Sequence, residues 1–316
     1  MIKNISVLGA GTMGHGIAIS FARYGHPVRI FDANSAVFDK VREQMETELC
    51  EMAECGLLEE SQVPEIQKRI SLIEDMEACV KDADYVIEAV PEILSLKKQI
   101  FGQLSEMCGP DTIFASNTSG LKLSEMIEDL PEDRKKRAMV CHWFNPPYII
   151  PAVELSHFGN MPEDTYQEVK DLYNRIGKKP ITVRKDINGL IANRIQHGLV
   201  REALSLIESG AASAEDVEAA VTYGPCFRLA TVGMLEICDM NGNDVWAATA
   251  QNLWPSLDNN NQSSKLLDKM VEEGKLGIKS GEGFYSYSDE EKQEKKDYFL
   301  KRLMAQLKLQ QEVGKL

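Results

Sequence analysis

Two side chains in this sequence are spaced for proton transfer. His142 ends an apolar extended run, Ala138-Met-Val-Cys-His142, just before Asn145-Pro146-Pro147, and Glu154 follows 12 residues later in a second extended run, Ile149 to Leu155. A chain that folds back at the prolines brings imidazole and carboxylate together. The carboxylate then fixes the tautomer and stabilises the imidazolium, as proton removal from a hydroxyl requires. The other histidines are less well placed: His15 sits in a glycine turn, His26 in a link to a strand, and His157 and His197 lack an evident carboxylate partner. On spacing alone, His142 fits a satisfied core histidine as well as it fits an acid/base.

Dehydrogenating an alcohol also needs a hydride acceptor, and the first 32 residues are suited to bind one. The β-branched run Ile5-Ser6-Val7-Leu8 reads as a buried strand and enters Gly9-Ala10-Gly11-Thr12-Met13-Gly14, after which a helix of small apolar residues follows. Gly9 serves a tight turn, Gly11 the close approach of a pyrophosphate, and Gly14 close helix–strand packing. The unpaired N–H groups of the helix N-terminus can donate to a diphosphate. A second strand, Val28 to Phe31, ends on Asp32, whose carboxylate accepts from both adenosine ribose hydroxyls and repels a 2′-phosphate. The stretch therefore selects NAD over NADP.

These residues need a frame. Further strands are read at Ile70–Ile73, Tyr85–Val90, Thr112–Ser116 and Pro180–Val183, with helices between them at Ala36–Cys55 and Leu96–Met107. The alternation predicts an α/β fold, a Rossmann-type doubly wound, mostly parallel sheet. Ligands in such sheets lie beyond the carboxyl ends of the strands, so Pro91–Glu92 and Asn117–Ser119 should border the cofactor. The Ala36–Cys55 helix carries Glu43, Glu46, Glu48, Glu51 and Glu54, which read as a solvated face. Past Lys185 helical periodicity takes over, with a capping box at Ser213-x-x-Asp216. The expected division is residues 1–184 for the NAD-binding domain and 185–316 for an all-helical substrate and dimerisation domain, its last helix running from Asp289.

Composition narrows the partners. With 316 residues, 43% hydrophobic and 27% charged, the chain can hold two domains with ample cores. A net charge of -14 argues against nucleic acid or an anionic membrane surface. No apolar run approaches the roughly 20 residues that cross a bilayer, and the first strand follows Met1 almost directly, so a cytoplasmic protein is expected. The 7 cysteines are scattered without metal-ligand spacing, and no metal is expected. The partners expected are a small-molecule substrate and a second copy of the chain.

The ordered set Gly9-x-Gly11-x-x-Gly14, Glu88-Ala-Val-Pro-Glu92, Ser116-Asn-Thr-Ser119, His142-x-x-Asn145-Pro, Glu154, Gly189-x-x-x-Asn193-Arg194 and Gly277-x-Lys279-x-Gly281-x-Gly283-Phe-Tyr285 resembles the L-3-hydroxyacyl-CoA dehydrogenase family. The resemblance implies that His142 takes the proton of a 3-hydroxyl while hydride leaves for NAD, and that Glu154 orients it. It implies that Ser119 and Asn193 hold the substrate oxygen, and that Asp32, Glu92, Lys97, Asn145, Lys279 and Ser119 contact NAD. On their own, Lys97 and Lys279 read as solvated charges, Ser119 as a turn residue and Asn193 as a helix-start hydrogen-bonder.

Two departures bear on the carrier. Relatives that use CoA have lysines on the helix after the second strand, where this chain is acidic, with Glu48 and Cys55 near the places of a serine and a lysine. Tyr223-Gly-Pro-Cys-Phe-Arg228 resembles the lambda-crystallin branch, which includes L-gulonate dehydrogenases, and the carnitine dehydrogenases; Arg228 would there bind a substrate carboxylate, or else be a paired surface arginine. The Gly277–Tyr285 motif is that of CoA-using members. The balance leans to a small free 3-hydroxy acid. The alternative is a short-chain L-3-hydroxyacyl-CoA such as 3-hydroxybutyryl-CoA, in fatty-acid or butyrate metabolism. Two rivals remain: a non-catalytic NAD-binding crystallin-like protein, and a hydroxyisobutyrate-type dehydrogenase, which uses a lysine where this chain has Asn193.

Overall fold

The structure is a computed structural model and describes residues 2–313. Eight strands form one sheet: β1 (Ile5–Leu8), β2 (Val28–Phe31), β3 (Ile70–Ile73), β4 (Tyr85–Glu88), β5 (Ile113–Ser116), β6 (Ala138–Trp143), β7 (Ala152–Ser156) and β8 (Lys179–Val183), in the order β3-β2-β1-β4-β5-β6-β7-β8. Every neighbouring pair is parallel except β6 and β7. Parallel neighbours need a long crossover, whereas the eight residues from Phe144 to Pro151 can only turn the chain back. The central strands β1, β4, β5 and β6 are buried along their whole length, as sheets covered on both faces require.

Helix α1 (Thr12–Ala22) is buried from Gly14 onward, its small residues letting it lie close to the sheet. Helix α2 (Phe38–Glu54) buries Phe38, Val41, Met45, Leu49 and Met52, an i, i+3/i+4 stripe facing the core. Gly16 is where α1 meets the turn after β6: a Cβ there would come within 2.6 Å of Pro147. The same turn is held by Lys178, whose buried ammonium donates to the carbonyls of Pro147 (2.5 Å) and Ile150 (2.8 Å) and lies 5.1 Å from the Trp143 ring centroid. Burial, with the Arg23 charge adding to it, pulls this lysine down to about 7.

The chain divides into two compact units, one of residues up to 191 together with those from 297 on, the other of residues 192–296. The first extends past the expected boundary at 184 because Ile187 and Leu190 pack into one of its core clusters. The sequence places the last helix, Asp289–Glu312, wholly in the helical domain. The part from Asp297 on, 16 of its 24 residues, belongs to the first unit instead, because Met304 and Leu307 join Val41, Met45, Leu49 and Met52 in the main core.

The second unit is helical: Ala192–Glu208, Ala214–Tyr223, Pro225–Leu229, Met234–Asn241, Asn243–Leu253 and Lys265–Glu272. The Ser213 hydroxyl caps the second of these by accepting from the Asp216 N–H at 3.1 Å. Leu204, Val217 and Ile237 are buried, but Tyr223, Phe227, Leu235 and Trp254 are each more than 70% exposed (76, 73, 79 and 71%). Among the described residues no helix is long and apolar enough to cross a membrane.

Candidate active site

The carboxyl ends of β1, β4, β5 and β6 lie side by side, so the loops that follow them gather at one edge of the sheet. The first is the glycine turn. Gly9 has φ +104°, a left-handed backbone, and a Cβ there would lie 2.7 Å from the Ala89 carbonyl oxygen; at Gly14 it would meet the Gly9 carbonyl at 1.8 Å. Both glycines are therefore demanded by the protein's own packing. Gly11 is different: a Cβ there meets nothing within 4 Å, so its bare backbone faces open space. Gly11 also caps α1 without any side-chain hydrogen bond, and no acidic residue occupies the first turn. The N–H groups around exposed Gly11 and Thr12 and half-buried Met13 thus form an anion cradle. Asp32, half-buried at the end of β2, accepts from the Ala10 N–H (2.8 Å) and the Asn34 N–H (2.9 Å), which ties the turn to the strand beside it. An open cradle beside a fixed carboxylate fits the diphosphate and adenosine ribose of NAD.

The loops after β4 and β5 are joined by charge. Glu88, the fully buried last residue of β4, accepts from Lys97 Nζ (2.7 Å), the Ser116 hydroxyl (2.6 Å) and the Val90 N–H (2.7 Å). Lys97 lies on the helix Leu94–Met107, only 1% exposed, and its ammonium also reaches Glu92 at 3.3 Å. The sequence reads Lys97 as solvated charge on its own and as a cofactor contact by resemblance. The ammonium is turned inward between two carboxylates, which corrects the solvated reading. Glu92 in turn accepts from the Thr118 hydroxyl (2.5 Å) and the N–H groups of Ser119 (3.0 Å) and Gly120 (3.1 Å). Burial pushes the Glu92 carboxyl up, but the Thr118 hydrogen bond and the Lys97 charge outweigh it and hold the group below the usual carboxylate range. Ser119 is exposed on this loop. Asn117 continues the chain of contacts, accepting from the Trp143 N–H at 2.8 Å, one residue beyond His142.

In the β6–β7 pairing, His142 and Glu154 stand directly opposite each other. The His142 Nδ1 lies 2.8 Å from Glu154 Oε2, with the histidine 6% exposed and the glutamate 0%. An ionised carboxylate only accepts, so Nδ1 carries the hydrogen and Nε2 is the nitrogen left for proton exchange. Glu154 Oε1 accepts from the Ile191 N–H at 2.8 Å, which fixes the carboxylate from its other side. The Phe144 ring packs 4.7 Å from the imidazole. A pair held in this way can do acid/base chemistry at Nε2. Exposed Asn145 follows at the turn.

Asn193, Arg228 and Lys279 belong to the second unit. Asn193 is half-buried in the first turn of the helix Ala192–Glu208, and Arg228 is exposed in the short helix Pro225–Leu229. Lys279 is exposed in a turn between Gly277 (φ +71°) and Gly281 (φ +86°) that is closed by the Gly277–Glu282 bridge. Glu88 and Thr118 received no role from the sequence. The signal for Glu88 was a carboxylate ending an otherwise apolar strand, which needs a buried cation.

The residues 4–187 match the family described as 3-hydroxyacyl-CoA dehydrogenase, NAD binding domain, and residues 189–287 match its C-terminal domain. The chain is 32% identical over 292 residues to the 5-formyl-3-hydroxy-2-methylpyridine 4-carboxylate 5-dehydrogenase of Mesorhizobium japonicum, covering 92% of this chain and 93% of that protein. A crystal structure of a 5-dehydrogenase of that pyridine carboxylic acid, described as an NAD+-dependent dismutase, superposes with a TM-score of 0.89 at 31% identity, covering 96% of this chain and 97% of that one. The (S)-3-hydroxybutyryl-CoA dehydrogenase PaaH1 of Ralstonia eutropha superposes with a TM-score of 0.75 at 31% identity, covering 92% and 100%.

Proposed function

The chain belongs to the 3-hydroxyacyl-CoA dehydrogenase family and is an NAD-dependent dehydrogenase, and from that premise we propose that its substrate is a small free hydroxy acid rather than a CoA thioester. The fit to the pyridine-carboxylate dehydrogenase, at a TM-score of 0.89 against 0.75 for the hydroxybutyryl-CoA enzyme, carries this reading. Helix α2 adds to it. Glu43, Glu46 and Glu54 are exposed along this helix, and Glu51 lies beside Asp297 of the last helix. A CoA nucleotide bound along that face, as the resemblance implies, would meet like charge.

In the proposed reaction the His142 imidazole takes the hydroxyl proton at Nε2, and Glu154 stabilises the imidazolium that results. NAD supplies the hydride acceptor when bound. Asp32 and the uncapped turn at Gly9, Gly11, Thr12, Met13 and Gly14 hold its adenosine ribose and diphosphate. Glu92, Ser119, Asn145 and Lys279 are proposed as further cofactor contacts. Lys97, enclosed between Glu88 and Glu92, is proposed as a cofactor contact as well, and it positions both carboxylates. Ser119 and Asn193 hold the substrate oxygen, and the exposed Arg228 guanidinium receives the substrate carboxylate. The test is turnover of free acids against CoA esters in wild type and Arg228→Ala.

We also propose a homodimer formed through the helical unit. Met240 (73% exposed) joins Tyr223, Phe227, Leu235 and Trp254, and five large apolar side chains more than 70% exposed are too many for a surface left in water. Light scattering after gel filtration is expected to report a particle of two chains, and Phe227→Glu with Leu235→Glu to shift it to one. A wild-type particle of one chain at high concentration would contradict this.

A further inference from the structure

A second histidine–carboxylate pair lies inside the first unit, away from His142 and Glu154. His15, one turn into α1, is 1% exposed, and its Nε2 stands 3.0 Å from Oε1 of Glu48 on α2. Glu48 is itself buried, contrary to its reading as part of a solvated face. Gln44, one turn earlier on α2, donates to the same Oε1 at 3.3 Å. Two polar atoms of the pair, His15 Nδ1 and Glu48 Oε2, are buried without a hydrogen-bond partner. The imidazole lies against the carbonyl groups of Ala10 and Gly11, the middle of the glycine turn.

Leaving such atoms buried is costly, and with the Ala10 and Gly11 carbonyl groups beside it the imidazole is better served by a second N–H than by a bare lone pair. Burial works against the imidazolium, but the Glu48 carboxylate and the two carbonyl groups favour it more strongly, so the proton affinity of His15 is raised. The other titratable groups facing Glu48 are Glu51 on α2 and the buried Tyr148 from the turn after β6. Both are acids, and neither removes the advantage of a cation at His15.

We propose that His15, held by Glu48, is a positioning residue for the dinucleotide: its imidazolium sits beneath the glycine turn and orients the turn's peptide groups so that their N–H ends face the diphosphate. This rests on the reading of that turn as the NAD site. The cation adds to the positive end of the α1 dipole, while Glu48 balances its charge. Because the diphosphate favours protonated His15, binding takes up or retains that proton. Affinity is then full below the His15 pKa and falls as pH rises through it.

The experiment is a titration of Kd for NADH and for ADP-ribose from pH 5.5 to 9, with adenosine as the ligand lacking phosphate, in wild type, His15→Gln, His15→Asn and Glu48→Gln. For both diphosphate ligands the wild-type Kd should rise about fivefold from the acid to the alkaline limb. The two His15 variants should be flat and near the weak limit. Glu48→Gln should shift the midpoint to lower pH, which a role confined to packing would not do. Adenosine should show no such step. A His15 variant that titrates like wild type, or a Glu48→Gln midpoint that does not move, overturns the proposal. Failure of the folded wild type to bind either diphosphate ligand at any pH would instead overturn the assignment of the turn to NAD, and this inference with it. Circular dichroism identifies variants that fail to fold, in which case the wild-type contrast between ADP-ribose and adenosine decides.

Discussion

Replacing His142 by glutamine is expected to lower kcat roughly 10³-fold while the Kd for NADH stays within about twofold. Glutamine keeps the strand buried and offers no base, so the loss falls on proton transfer and not on the cofactor turn, which is built by β1, α1 and Asp32. Glu154→Gln should act in the same direction by roughly 10²- to 10⁴-fold, because an amide turned toward Nδ1 as a donor favours the opposite tautomer. The double variant should be little worse than His142→Gln alone, as expected of two groups that act as one unit. Stopped-flow and steady-state kinetics on the four proteins check this. An undiminished kcat in His142→Gln would remove the assigned mechanism.

The second large effect concerns stability. Lys97→Met leaves Glu88 fully buried with its cation gone, and removing one partner of such a pair costs about 3–5 kcal/mol. The Ser116 hydroxyl and the Val90 N–H remain to Glu88 and place the loss toward the lower figure. Adding Glu88→Gln should recover a large part, since the double variant buries no unpaired charge. Urea denaturation of wild type, both single variants and the double variant measures the cycle. Glu92 should feel the change as well: without the Lys97 ammonium its carboxyl rises toward the usual range, and the Thr118–Gly120 loop loses part of its anchor. A Lys97→Met protein as stable as wild type would contradict the description of this network.

The contrast between the two histidine pairs explains what the sequence disclosed. His142 and Glu154 were legible because two prolines bend a short connection, and a short connection between neighbouring strands forces an antiparallel register. Their meeting is a consequence of local chemistry. His15 and Glu48 are 33 residues apart on two helices whose facing sides are set only by packing over the sheet. Five glutamates on α2 looked alike, and only the apolar stripe of Met45, Leu49 and Met52 shows that Glu48 falls beside the buried face. The burial of Lys97 is hidden for the same reason. An amphipathic helix gives a lysine no reason to turn inward until the carboxylate ending β4 is placed next to it. The last helix reads as charged throughout, and its two anchoring residues, Met304 and Leu307, are too few to reveal which unit they join. Glycine roles, by contrast, were legible at Gly9, Gly11 and Gly14, since turn, open approach and close packing each demand a missing side chain.

The proposal for the substrate is tested most directly by following NADH formation with small free hydroxy acids, aliphatic and pyridine-based, beside L-3-hydroxybutyryl-CoA, in wild type and Arg228→Ala. The account predicts turnover of a free acid, with kcat/KM reduced about 10²-fold in Arg228→Ala as the carboxylate loses its bidentate partner. Turnover of the CoA ester with no free acid accepted, and the same kcat/KM in Arg228→Ala, would contradict it.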